Sequence, residues 1–131
     1  MVQFLKTDIC VVGAGSGGLS VAAGAVQMGA DVVLVEGGKM GGDCLNYGCV
    51  PSKALLAAAH TAHIHTRARG LGLSARAPQV NFEQVMDHVH DVITGIAPVD
   101  SVERFSKLGV KVIENFGRFI SPKVMAAGKY H

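Results

Sequence analysis

DICVVGAGSGGLSVAAGAVQMGADVVLVE, residues 8–36, opens on one short β-branched apolar run and closes on another. Residues 8–12 have the unbroken hydrophobicity of a strand buried on both faces in a parallel sheet. A glycine cluster follows at once, and residues 19–28 are small and apolar, suited to a helix lying close on that sheet. Gly29 is placed to end the helix as a C′ glycine. Residues 31–36 make the second buried strand, so the stretch reads as one βαβ unit of the usual length.

Gly13-Ala-Gly15-Ser-Gly-Gly18 matches the GxGxxG dinucleotide fingerprint. Alone the pattern is weak, but here it follows a strand, opens a helix, and has an acid, Glu36, at the end of the next strand about twenty residues on. Gly13 allows the tight turn, Gly15 removes the side chain where pyrophosphate must approach, and Gly18 lets helix and strand pack closely. The helix N-terminus would offer free N–H groups to phosphate. Glu36 would accept hydrogen bonds from a ribose diol, which favours FAD or NAD over a 2′-phosphorylated cofactor. The competing reading is a glycine turn that packs a helix and binds nothing.

With 131 residues there is room for about one domain, large enough to bury a core without staples. A net charge of +2, with basic residues scattered among acidic ones, makes no basic stripe; nucleic acid and anionic membrane are poor partners and small molecules better ones. No charge lies between Asp8 and Asp31, yet the glycines there would each cost a lone membrane helix about 1 kcal/mol. The first residues lack a basic flank and a small-residue cleavage site. The expectation is a soluble, cytoplasmic protein, where a purely structural disulfide is disfavoured.

Beyond the cysteines, residues 52–69 are alanine-rich and predict a helix with Pro51 in its first turn. Gly70 and Gly72 close it, and residues 74–80 read as a loop. Asn81, with Gln84 three residues later, forms a capping-box pattern opening a second helix through Ile96. Pro98 is expected to interrupt before residues 101–108 continue. From Val110 the period becomes two: VKVIE, GRFI and KVMAA predict short strands of a meander or of a sheet edge. No repeat or interdomain linker is evident.

Cys44 and Cys49 lie between glycines and Pro51 in GGDCLNYGCVPSK, residues 41–53. A structural zinc site needs four ligands, and the remaining cysteine, Cys10, sits in the first strand and reads as a core residue. His60, His63 and His65 are the other candidate ligands, more simply solvated or packed. A redox pair fits better: Cys49 starts a helix, where the dipole and nearby Lys53 favour thiolate. On one regular helix the two cysteines would be too far apart to bridge, so residues 44–49 are expected to be irregular, with Gly48 supplying the freedom.

The run Gly41-Gly42-Asp43-Cys44-Leu45-Asn46-Tyr47-Gly48-Cys49-Val50-Pro51-Ser52-Lys53 resembles the active-site signature of the flavin-dependent pyridine nucleotide-disulfide oxidoreductases. Lipoamide dehydrogenase, glutathione reductase and mercuric reductase are members of that family. Asp43 stands where threonine is usual and Tyr47 where valine is usual; neither replaces a redox atom, though Asp43 adds a negative charge near the flavin. The resemblance implies a Rossmann-like α/β fold, with a FAD-binding βαβ and parallel sheet, incomplete, plus short C-terminal antiparallel strands. It assigns Gly13, Gly15, Gly18, Glu36, Gly42, Lys53 and Gly117 to FAD. It makes Cys49 the thiolate facing the flavin and Cys44 the interchange thiol. Electrons would pass from NAD(P)H to FAD, to the Cys44–Cys49 disulfide, and on to substrate.

The same resemblance implies that residues 1–131 are the N-terminal portion of a FAD-binding domain. The NAD(P)-binding domain, a returning Gly-Asp flavin segment and a dimer-interface domain with its His-Glu couple are absent. Alone the chain is then expected not to turn over, and when complete to be a homodimer. Substrates compatible with the signature are a small-molecule or protein-bound disulfide of the dihydrolipoamide type, or mercuric ion. A flavin- or nucleotide-binding module without disulfide chemistry is the alternative from another class, and a purely structural domain is a third.

Overall fold

The computed structural model describes residues 2–74 and 76–131. Its elements in chain order are β1 (Ile9–Val12), α1 (Ser16–Gln27), β2 (Val32–Glu36), α2 (Gly42–Asn46), α3 (Cys49–Gly70), α4 (Phe82–Ile96), a 3-10 turn (Ala97–Asp100), α5 (Val102–Lys107), β3 (Lys111–Glu114), β4 (Gly117–Ser121) and β5 (Val124–Ala127). The fold is α/β: a parallel sheet in the order β1-β2-β3 and a separate antiparallel β4-β5 hairpin.

Position in the sheet explains composition. Central β2 is buried from Val32 to Val35, and its VVLV run has no polar residue to expose. Register pairs Val11 with Leu34, and Leu34 with Val112, so one sheet face carries Val11, Val32 and Leu34. That face packs with Leu19 and Ala22 of α1 and Phe105 of α5. The opposite face carries Val33, Val35 and Ile113, covered by Ala127, Leu5 and Tyr130. The uncharged stretch between Asp8 and Asp31 is thus folded into one strand and one helix, β1 and α1. Among the described residues no helix is long and apolar enough to cross a membrane.

Both ends of α1 follow from glycine. The helix starts at Ser16, inside the fingerprint and before the expected residue 19. It ends in a Schellman arrangement: Gly29 N–H donates to Val26 O at 3.0 Å and Ala30 N–H to Ala25 O at 3.1 Å, with Gly29 at φ +87°. A Cβ on Gly29 would meet no atom within 4 Å, so the cost of Gly29→Ala is backbone strain alone. The expected loss is about 1 kcal/mol of unfolding free energy, read as a lower urea midpoint with an unchanged slope.

Two expectations are made definite by the structure and a third needs correction. The helix containing residues 52–69 starts at Cys49, the residue expected at its beginning, so Pro51 is the third residue of its first turn, a position that still has no intrahelical acceptor to lose. Of the two alternatives for VKVIE the sheet edge holds: Lys111–Glu114 pairs parallel to β2, and only the two later strands form an antiparallel hairpin. Cys10 is not a core residue but exposed, because β1 is an edge strand and the sheet face it shares with Val33 is only partly covered. It borders a hollow with Phe4, Leu5, Met125 and Tyr130, and desolvation pushes its thiol pKa above the ordinary value.

The helix expected to open at Asn81 is α4. Asn81 Oδ1 accepts from Gln84 N–H at 3.3 Å to cap α4. Pro98 lies in the 3-10 turn that interrupts the run before Ser101 caps α5, accepting from Arg104 N–H at 3.2 Å. The loop expected over residues 74–80 includes Ala75, which lies outside the described residues.

Candidate redox and nucleotide site

The candidate residues gather beyond the carboxyl ends of β1 and β2, where open α/β sheets bind ligands. Gly13 leaves β1 at φ +97°, and its N–H donates to Val35 O at 2.8 Å, tying the turn to the central strand. Gly15 is the N-cap of α1; no side chain caps the helix and no acid lies in its first turn, so the N–H groups there remain available. A Cβ on Gly15 would meet nothing within 4 Å, which leaves open space where an anion would sit. A Cβ on Gly18 would run into the Gly13 carbonyl and lie 3.2 Å from Val11 Cγ1, so this position serves helix–strand packing.

Glu36 ends β2 with its carboxylate turned onto the turn. Its Oε2 accepts from Ala14 N–H at 2.5 Å and its Oε1 from Gly38 N–H at 2.6 Å. A carboxylate has about four acceptor positions, so two remain for a ribose diol. The following loop folds back on the same turn: Gly41 N–H donates to Ala14 O at 2.9 Å. Gly42, at φ +57°, comes so close that a Cβ would lie 2.7 Å from Gly15 Cα. The cysteine segment is thereby docked against the glycine turn.

Cys44 lies in α2 and Cys49 is the first residue of α3; they form a disulfide with Cα atoms 4.7 Å apart. The irregularity is smaller than expected: it is confined to Tyr47 and Gly48 between two helical segments. Gly48 is tightly placed, since a Cβ there would sit 3.0 Å from Asp43 O and press on that carbonyl. Cys44 is half-buried and Cys49 exposed. Lys53, exposed, follows Cys49 by one helical turn. Lys39 Nζ lies 5.4 Å from the centre of the Tyr47 ring, a cation–π contact between the loop after β2 and the residue that follows α2.

Asn46 was missed in reading the sequence. Its Nδ2 donates to Met40 O at 3.0 Å and to Gly42 O at 2.8 Å, fastening the start of α2. The available signal was an asparagine between two glycine-bounded turns, a residue type that bonds backbone locally. Gly117 opens β4; a Cβ would lie 2.6 Å from Met125 Sδ and 3.1 Å from Val35 Cγ1, so it packs beside the end of β2. The structure therefore brings together Gly13, Gly15, Gly18, Glu36, Gly42, Cys44 and Cys49, with Gly117 flanking and Lys53 on α3. Among the described residues no three His, Cys, Asp or Glu side chains converge as a metal site.

Known proteins share this arrangement in sequence. The family profile described as pyridine nucleotide-disulphide oxidoreductase matches residues 7–126, from the approach to β1 into β5. A dihydrolipoyl dehydrogenase of Pseudomonas aeruginosa is 38% identical over 136 aligned residues, covering 96% of this chain and 28% of that protein. One from Halobacterium salinarum is 44% identical over 117 residues, covering 86% of this chain and 23% of its own length. One from Bacillus subtilis is 33% identical over 120 residues, covering 91% and 25%. The chain thus spans about a quarter of the length of the curated relatives it matches. With the profile running across the glycine turn, the cysteine segment and both sheets, this chain belongs to the pyridine nucleotide-disulphide oxidoreductase family.

Proposed function

We propose that this chain is the N-terminal portion of a FAD-binding domain whose Cys44–Cys49 disulfide exchanges electrons between NAD(P)H and a dithiol/disulfide substrate of the dihydrolipoamide type. The observation that carries it is the disulfide itself, closed at 4.7 Å between Cα atoms at the start of α3 and docked on the glycine turn through Gly42. The names of the relatives support the substrate class. A homodimer for the complete protein and a reducing, cytoplasmic setting complete the reading.

The residues present fit FAD. Gly15 leaves space at an uncapped helix N-terminus for pyrophosphate, and Glu36 keeps acceptor positions for ribose. Gly13, Gly18 and Gly42 shape that cradle, Gly117 borders it, and Lys53 follows Cys49 on α3. FAD, when bound, supplies the two-electron link between a pyridine nucleotide and the cysteine pair.

The chain's own chemistry is thiol exchange. In the reduced pair, Cys44 thiolate attacks one sulfur of the substrate disulfide, and the other substrate sulfur leaves as thiolate and takes a proton. Cys49, at the first position of a long helix, then attacks the Cys44 sulfur as its thiolate. That step expels the second substrate thiol and re-forms Cys44–Cys49, so the substrate gains the two electrons the pair loses.

Mixing the pre-reduced chain with oxidised lipoamide tests this. The expected result is stoichiometric: about one dithiol formed per chain as the protein disulfide closes. No steady-state NAD(P)H oxidation is expected from these 131 residues alone, even with FAD added. Sustained turnover would contradict the assignment as a portion of the domain, and no dithiol at all would contradict the exchange chemistry.

A further inference from the structure

Glu36 has more contacts than a ribose-binding residue needs. Its two carboxylate oxygens are each engaged by a backbone N–H, from Ala14 in the glycine turn and from Gly38 in the loop leading to α2. Ala14 is fully buried, and its carbonyl is held by the same loop through Gly41 N–H at 2.9 Å. The peptide groups on both sides of Ala14 are therefore fixed by residues 36–41. Without the carboxylate, the buried Ala14 N–H would have no acceptor there, and buried unpaired amides are costly. One more contact lies on the same seam: Gly42 packs onto the Gly15 backbone so closely that it has no room for a side chain of its own.

We infer that Glu36 is a positioning residue that fastens the glycine turn to the loop carrying the redox cysteines. The cradle is then shaped before any cofactor arrives, and a Glu36 substitution weakens binding even through ligand groups that Glu36 never touches. The effect on binding rests on the nucleotide reading above; the fastening itself does not. Gln at this position keeps one acceptor oxygen and turns a donor toward the other amide, so it frees one of the two N–H groups. Asp is one methylene shorter and cannot span both, and Ala frees both.

Two measurements on the purified chain decide it. The first is amide hydrogen exchange by NMR in wild type, Glu36→Gln and Glu36→Ala. Ala14 or Gly38 should exchange roughly tenfold to a hundredfold faster in Glu36→Gln, and both in Glu36→Ala, as expected on losing a bond to a charged acceptor. Val33 and Val35, in the sheet ladder, should not change. The second is affinity for ADP and for its 2′,3′-dideoxy analogue, which lacks the diol. Fastening predicts that Glu36→Gln weakens both nucleotides; a ribose contact alone would weaken only ADP and leave exchange untouched, overturning the inference. Should wild type bind neither nucleotide, the nucleotide reading fails, and the exchange result alone upholds or overturns the fastening. Should the variants not fold, scalar coupling across the bonds from the Ala14 and Gly38 amides to Glu36 Cδ in wild type upholds it by its presence and overturns it by its absence.

Discussion

Gly18→Ala is expected to cost about 3 kcal/mol, the upper part of the range for overpacking, out of a total stability of roughly 5–15 kcal/mol. The added methyl would occupy the place of the Gly13 carbonyl oxygen and also press on Val11 Cγ1. Neither can yield cheaply. Gly13 is held at φ +97° with its N–H bonded to Val35 O, and Val11 is buried in the core beneath α1. The relief must come from α1 lifting off the sheet, which opens the contacts of Leu19 and Ala22. Urea unfolding should show a lower midpoint, and native-state exchange should show weakened protection in α1. Gly15→Ala is the control. Its φ of −77° suits any residue and its methyl meets nothing within 4 Å, so its cost should be about 1 kcal/mol or less. Dinucleotide affinity should nevertheless fall, because the methyl fills the space left for pyrophosphate. Equal stability for the two variants would contradict this division of labour between the glycines.

Cys49→Ser should abolish closure of the protein disulfide. Wild type, oxidised, has Cys10 as its free thiol and, reduced, all of its cysteines. The variant should show the same thiol titre before and after reductant. It should also trap: a small disulfide reagent forms a mixed disulfide at Cys44 that persists, since the resolving sulfur is gone. Reduced wild type passes through the same adduct and closes the ring. An adduct that decays at the same rate in wild type and Cys49→Ser would contradict the pairing of these two sulfurs in exchange.

What the sequence made legible was local. The βαβ unit, its glycine-terminated helix and the acid closing β2 depend on patterns within a few turns of chain, and all are present. The Asn81 cap and the Pro98 interruption are local as well. The partner of β3 was not legible, because an edge strand in a parallel sheet is half exposed. Lys111 and Glu114 face solvent while Ile113 is buried, and that alternation looks the same as one face of a meander. Cys10 misled for a related reason: its apolar neighbours signal a buried strand, but no local feature says that β1 lacks a neighbour on one side.

The candidate site divides the same way. That Cys44 and Cys49 belong together was readable from GGxCxxxGCxP, and the break between them from Gly48. Its confinement to Tyr47 and Gly48 was not, since α2 is too short to declare itself by periodicity and is held by Asn46 and Leu45. Nor could the sequence show that Glu36 engages Ala14 and Gly38. Those bonds exist only because residues 37–41 return over the glycine turn, a tertiary contact that no local pattern encodes.

Most direct is the visible absorbance spectrum of the purified chain with FAD, taken before and after two electron equivalents of a mild reductant, in wild type and Cys49→Ser. Wild type should bind the flavin and gain a long-wavelength band on reduction that Cys49→Ser lacks, placing the Cys49 sulfur against the ring. Bound flavin that reduces with the same spectrum in both proteins would contradict the account, leaving a nucleotide fold whose cysteines take no part in its redox chemistry.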